Sequence, residues 1–266
     1  MIISGTSRVF ATFGNPNIGN PAPLVYNAAF ERAGVDAVYV ALEPRDIGAA
    51  MAAVRSLGLG GGTVTTPFKR EVMRFLDEID DDATAIGAVN VVENRDGRLI
   101  GHNSDWIGAI GALREVVELS GRRVALLGAG GGARAVAFGL REAGAVTTVF
   151  NRTADRAQVL CDRFGCRYGG GLDAVTPEFD VVVNATSIGM GERSEASPVA
   201  ATALTNRPVV FDLVVRPRET LLIGQARELG AAVVHGIAMV AHQAVPALEW
   251  LTGTKPDLSV LREQFG

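Results

Sequence analysis

The stretch "VALLGAGGGARAVAFGLREAGAVTTVFNR" (residues 124–152) decides the fold. A short aliphatic run ends in glycines, an alanine-rich amphipathic segment follows, and a second β-branched run closes the unit. That order predicts strand, helix and strand, with the two strands parallel. Gly128, Gly130 and Ala133 fall in G-x-G-x-x-A spacing, with Gly131 and Gly132 between them. A glycine at 128 permits the tight turn. One at 130 lets backbone N–H groups approach a pyrophosphate at the helix N-terminus, where unpaired donors and the helix dipole favour negative charge. Alone, such a match is weak, and a glycine-rich turn without a ligand is the bland alternative. Here it follows a strand, opens a helix and sits in a unit of about 30 residues, which favours a dinucleotide site.

The end of the second strand indicates which dinucleotide. A carboxylate there would hold an NAD ribose and repel a 2′-phosphate. This chain reads "VFNRTADR" (149–156), placing Asn151, Arg152 and Thr153 at that point and Arg156 one helical turn later. A guanidinium binds a phosphate through two parallel hydrogen bonds. Either the arginines do this, making NADP the cofactor, or they pair with Asp155 in water; NADP is the expectation.

Working outward, "DVVVNATSIGM" (180–190), "PVVFDLVV" (208–215) and "AVVHG" (232–236) continue the series of short buried strands. Before it, "RVFATFG" (8–14), "DAVYVAL" (36–42) and "GGTVTT" (61–66) read as strands. "PLVYNAAFERAG" (23–34), "IGAAMAAVRSLG" (47–58) and "KREVMRFLDEI" (69–79) read as helices. Residues 88–103 read as a hairpin about "NRDG", 104–120 as one long helix and 237–266 as two more. The expected fold is α/β, with two lobes and a cleft between them. Residues 1–103 with the C-terminal helices 238–266 form a substrate domain, and 104–237 a Rossmann-like, doubly wound cofactor domain.

With 266 residues, 48% of them hydrophobic, the chain can bury two cores. A net charge of −4 with both signs interspersed offers no basic face for nucleic acid. No apolar run nears the ~18 residues of a membrane span, and the N-terminus lacks signal-peptide zoning. Cytoplasm, a small-molecule partner and a monomer or homodimer are the expectations. Cys161 and Cys166 are read as reduced thiols and no metal site is expected. The acids of "LDEIDDD" (76–82) read as a solvated helix end, and Trp106 and Trp250 as core.

The first lobe carries few polar residues at strand ends: Thr65, Lys69, Asn90 and the run Asn103, Ser104 and Asp105. Ligands of parallel α/β sheets gather there. Together with "GNP" (14–16), "VTTPFK" (64–69), "GAVN" (87–90), "HNSDWIG" (102–108), "NATSIGM" (184–190) and "HQAVPALEWLTG" (242–253), these residues make the chain resemble the shikimate dehydrogenase family over nearly its full length. The resemblance implies hydride transfer between NADPH and a ring ketone in aromatic amino acid biosynthesis. It implies proton-transfer roles for Lys69 and Asp105, with Ser104 in place of the usual threonine. Asn90, Thr65 and Gln243 would hold the substrate and surround the lysine. Ala185, Thr186, Ser187, Met190 and Met239 would face the cofactor. A ketone that accepts a hydride becomes an alkoxide and needs a proton donor within hydrogen-bond reach, which a lysine ammonium supplies.

The sequence also departs from that pattern. Where the family has Ser-x-Ser-Pro for a substrate carboxylate, this chain has "GNPNIGNPAP" (14–23), with Asn20 and Ala22 at the serine positions. Val215 replaces a tyrosine and Thr63 an asparagine. Asn20 is left as the candidate donor to the carboxylate, with Tyr26 or a distant arginine as alternatives. Quinate or another cyclitol acid, or an NADP-binding sensor without turnover, are the competing readings.

Overall fold

The structure is a computed structural model that describes residues 3–264. Its first strands are parallel because each is returned by a helix. β1 (Arg8–Phe13) leads through α1 (Ala22–Ala33) to β2 (Ala37–Leu42) and through α2 (Ile47–Ser56) to β3 (Gly61–Val64). Local signals close the helix ends. Gly34 closes α1 in the left-handed region (φ 65°), and the Asp46 carboxylate caps α2 by accepting from the Gly48 and Ala49 N–H groups. In β3 the two glycines are a packing requirement. A Cβ on Gly61 would overlap the Val92 carbonyl, and one on Gly62 the Ala11 carbonyl.

The segment 69–79 is not the helix its pattern predicts. It forms a single 3-10 turn, Val72–Phe75, followed by β4 (Glu78–Ile79) and α3 (Asp81–Ile86). Pairing with the strand beside it outweighs helix propensity. The Asp77 N–H donates to the Leu99 carbonyl (2.9 Å), and its carboxylate accepts from the Leu99 N–H (2.7 Å) and from Arg55 (2.6 Å). Asp80 caps α3 through the Ala83 N–H (2.7 Å) and holds His102 Nδ1 at 2.8 Å, so these acids are not merely solvated. The hairpin follows as expected, β5 (Val91–Arg95) and β6 (Arg98–His102), giving a sheet of order β2-β1-β3-β5-β6-β4.

Next comes α4 (Asp105–Arg114), shorter than the helix expected over 104–120. The Val116 and Val117 N–H groups both return to the Leu113 carbonyl, and the Glu118 side chain accepts from the Leu119 N–H. The turn this makes seats Leu119 in the core. The second sheet then builds as β7 (Arg123–Leu127), α5 (Gly131–Glu142), β8 (Val146–Phe150), α6 (Ala154–Phe164), β9 (Arg167–Gly170), β10 (Val181–Asn184), β11 (Val209–Asp212), α7 (Leu221–Glu228) and β12 (Val233–His235). Its order is β12-β11-β10-β7-β8-β9 with neighbouring strands paired in parallel, so the strand order reverses beside β7. β9, "RYGG", carries no strand signature and is held by its pairing with β8. α8 (Gly236–Thr252) and α9 (Leu258–Glu263) end the chain's elements.

The chain divides into two compact units, Met1–Ser104 with Ala241–Gly266, and Asp105–Val240. In the first, Phe10, Phe30 and Tyr39 pack with Leu248, Leu251 and Leu261. In the second, Leu127, Phe150, Val182 and Val210 share a core with Leu222 and Ile223. Among the described residues, no helix is long and apolar enough to cross a membrane.

Candidate active site

In the second unit the strand order reverses at the glycine turn. Gly128 has φ 106°, and a Cβ there would stand 3.1 Å from the Ala185 carbonyl oxygen and from Thr186 Cγ2. A side chain at 128 would therefore press on the neighbouring loop. Gly130 is the N-cap of α5, extended and without any side-chain cap, and a Cβ on it or on Gly131 would meet nothing within 4 Å. No acid lies in the first turn. The helix thus presents its N-terminal N–H groups to open space, an arrangement that fits a pyrophosphate. Gly132 sits against Leu213, and Ala133 is buried beneath the turn.

At the end of β8, Asn151 Nδ2 donates to the Thr153 carbonyl (2.8 Å), shaping the entry to α6. Thr153 is the N-cap residue but makes no side-chain cap bond. Arg152 and Arg156 are exposed, and among the described residues neither forms an ion pair with Asp155. Two unspent guanidiniums beside an uncapped helix start fit a 2′-phosphate.

The loop 185–190 faces Gly128 and is held from below by a buried network the sequence did not disclose. Asn184 Oδ1 accepts from the Thr186 N–H (3.0 Å) and hydroxyl (2.7 Å), while its Nδ2 donates to the Ile188 carbonyl (3.0 Å) and to Asp212 (2.9 Å). Asp212 also accepts from the Val214 N–H (3.0 Å) and the Thr220 hydroxyl (2.7 Å). Burial pushes the Asp212 carboxyl above its ordinary range, and these three donors pull it back only in part. Ser187 accepts from Arg193, a guanidinium also missed in the sequence. Ala185 and Thr186 are half-buried, Met190 is exposed and Met239 is buried.

In the first unit, register places Phe13, Leu42 and Val64 side by side, so β1, β2 and β3 deliver their following loops to one end of the sheet. Thr65 and Lys69 lie there, flanking a turn closed by the Phe68 N–H to the Thr65 carbonyl (2.9 Å). The Lys69 carbonyl accepts from the Val89 N–H (2.8 Å), and the Asn90 carbonyl from the Val64 N–H (2.8 Å), which fixes both residues to the same end. Asn90 is buried and doubly tied to Ser104: its Oδ1 accepts the Ser104 N–H (2.7 Å), and its Nδ2 donates to Ser104 Oγ (3.0 Å). Asn103 Nδ2 donates to the Ala88 carbonyl (2.9 Å). Asp105 follows Ser104 directly, as the buried first residue of α4. Gln243 is half-buried on α8.

Other sequence candidates have different surroundings. Asn20 turns its side chain into its own loop, to Asn17 Oδ1 (2.8 Å), Thr12 Oγ1 (3.4 Å) and the Ala22 N–H (2.9 Å). The Thr63 hydroxyl bonds that of Tyr39 (2.8 Å). His102 stacks on Trp250 (4.4 Å between centroids) between Asp80 and Glu93, and Trp106 meets Phe138 edge-on. Cys161 and Cys166 are free thiols; burial raises both, the second to about 12. Among the described residues, no group of three His, Cys, Asp or Glu is placed to hold a metal ion.

Comparison with known proteins finds matches over nearly the whole chain. Residues 13–92 match the Shikimate dehydrogenase substrate binding domain, and residues 111–221 match Shikimate / quinate 5-dehydrogenase. Shikimate dehydrogenase (NADP(+)) of Pyrococcus abyssi is 38% identical, over 96% of this chain and 96% of that protein. The solved structure of Thermus thermophilus shikimate 5-dehydrogenase with NADP(H) and shikimate superposes with a TM-score of 0.90 at 36% identity, covering 97% of this chain and 98% of that one. The ligand-free 5-ketofructose reductase of a Gluconobacter strain does so with 0.88 at 32%, covering 98% of each. The chain belongs to the shikimate dehydrogenase family.

Proposed function

We propose that this chain is an NADP-dependent dehydrogenase that moves a hydride between NADP(H) and a secondary alcohol or ketone carbon of a shikimate-like polyhydroxylated compound. Bound NADP(H) supplies or takes up the hydride. The protein's own part is the proton: a carbonyl that gains a hydride leaves an alkoxide, and the Lys69 ammonium stabilises that charge and delivers the proton. In the oxidative direction the same nitrogen accepts it. Asp105 orients the lysine, Asn90 and Thr65 hold ring hydroxyls, and Gln243 contributes an amide to the same ligand. The glycine turn and the start of α5 hold the pyrophosphate, with Arg152 and Arg156 on the 2′-phosphate.

One observation carries the reading. Thr65, Lys69, Asn90 and Ser104 are held by backbone and side-chain hydrogen bonds at one end of the first sheet, in a chain that also contains an open glycine turn for a dinucleotide.

The test is NADP+ reduction with shikimate and quinate, and NADPH oxidation with 3-dehydroshikimate and neutral ketoses such as 5-ketofructose, each run beside Lys69→Ala. We expect wild-type turnover and a loss of about 10²–10⁴-fold in kcat for the variant, the usual contribution of a positioned proton donor. Undiminished kcat in Lys69→Ala removes the lysine from the chemistry.

A further inference from the structure

We infer that the loop after β1 receives an uncharged part of the substrate, so that the preferred substrate is a neutral polyhydroxylated ketone or alcohol and not a carboxylic acid. This rests on the dehydrogenase reading above and narrows its substrate.

Residues 14–23 lie at the carboxyl end of β1, directly beside the turn that carries Thr65 and Lys69: the Asn15 N–H donates to the Thr66 carbonyl (3.1 Å). A carboxylate bound there needs hydrogen-bond donors, and the loop has committed most of its own. Pro16, Pro21 and Pro23 have no N–H. Both Asn17 Nδ2 hydrogens go to the carbonyls of Thr12 (2.8 Å) and Leu42 (2.9 Å). Those of Asn20 go to Asn17 Oδ1 and Thr12 Oγ1. The start of α1 is closed as well, since the Ala22 N–H donates to Asn20 Oδ1 (2.9 Å) and the Leu24 N–H to the Pro21 carbonyl (3.1 Å). Ala22, buried, offers no hydroxyl.

The loop also has an anion of its own. The Asn17 N–H donates to the Glu43 carboxylate (2.5 Å). A substrate carboxylate entering beside it would meet the like charge of Glu43 and few uncommitted donors from the loop: the N–H groups of the exposed Ile18–Gly19 tip and one Nδ2 hydrogen of the exposed Asn15, whose other goes to the Pro44 carbonyl (3.3 Å). Glu43 and Arg45, the cation nearest it in sequence, both stand exposed, so water screens both and the committed donors count for more against a carboxylate than the charge does. A hydroxyl fits differently. It donates as well as accepts, so carbonyl and carboxylate oxygens with lone pairs to spare can receive it.

The experiment uses the full chain with NADP(H) and compares kcat/KM for shikimate, for methyl shikimate (the same ring and hydroxyls without the charge) and for neutral ketoses assayed in the reductive direction. Calorimetric binding of shikimate and its ester to the NADP+ complex gives a second readout. We expect at least one neutral compound to exceed shikimate by tenfold or more, with the ester bound at least as tightly as the acid. Glu43→Gln should raise the shikimate-to-ketose ratio of kcat/KM threefold or more, and an unchanged ratio overturns the part given to Glu43. A shikimate kcat/KM above that of every neutral compound overturns the inference and leaves the dehydrogenase reading standing. No turnover of any compound, with NADPH still bound by fluorescence titration, removes the dehydrogenase reading and this inference with it.

Discussion

Replacing Arg152 and Arg156 by alanine tests the cofactor assignment most directly. A charge-assisted hydrogen bond contributes about 1.5–3 kcal/mol where it is sheltered. Both guanidiniums are exposed, so screening by water reduces each to about 1–2 kcal/mol, or roughly 5- to 30-fold in affinity. Neither is paired with Asp155 or another carboxylate among the described residues, so no protein ion pair is lost when either is removed. The whole effect should therefore fall on the cofactor. In the double variant we expect kcat/KM for NADP+ to drop about 25- to 1000-fold, with NAD+ changed less than about threefold, by steady-state kinetics and fluorescence titration. Unfolding in urea should move by less than about 0.5 kcal/mol, as for surface changes that break no contact. Equal loss for NAD+ and NADP+ would refute the 2′-phosphate argument, and a large loss of stability would show that the arginines serve the fold.

Three further outcomes follow from the packing. Gly62→Ala places a Cβ on the Ala11 carbonyl at φ 148°, so β1 and β3 must separate; a loss of more than about 3 kcal/mol is expected in urea unfolding. Asp212→Ala leaves the Asn184 amide, the Val214 N–H and the Thr220 hydroxyl without their acceptor. At about 1–3 kcal/mol per buried orphan, added incompletely, roughly 3–5 kcal/mol should go, together with a rise in the NADP+ Kd as loop 185–190 loosens. Burial lowers the His242 pKa below its ordinary 6.5. The unfolded chain then binds the proton first, so the His242 contribution is present above pH 6.5 and is lost as pH falls through the window beneath it. His242→Asn should remove that part of the slope in urea titrations across this range, and an unchanged slope would assign it to other groups.

The sequence by itself determined the elements whose signals are local. The glycine turn between β7 and α5 was legible because tight turning, backbone approach and helix start each demand a residue type at a fixed spacing. The same holds for the helix that runs up to Gly34, and for the hairpin about Asp96–Gly97. Lys69, Asn90 and Asp105 could be singled out because polar residues at strand ends have few other uses.

Only the tertiary structure decided what depends on a distant partner. Residues 69–79 have a helix pattern but become a 3-10 turn and a strand, because Asp77 finds both backbone groups of Leu99. β9 exists because β8 offers it a free edge. The Asn184–Asp212–Thr220 network joins residues far apart in the chain, and no spacing rule announces it. Asn20 gives the sharpest case. Its amide made it a candidate carboxylate donor, but a side chain's donors act on a ligand only if the fold leaves them unspent, and here Thr12 and Asn17 have taken them. Residue type sets what a group can do, and its committed hydrogen bonds set what remains for a substrate.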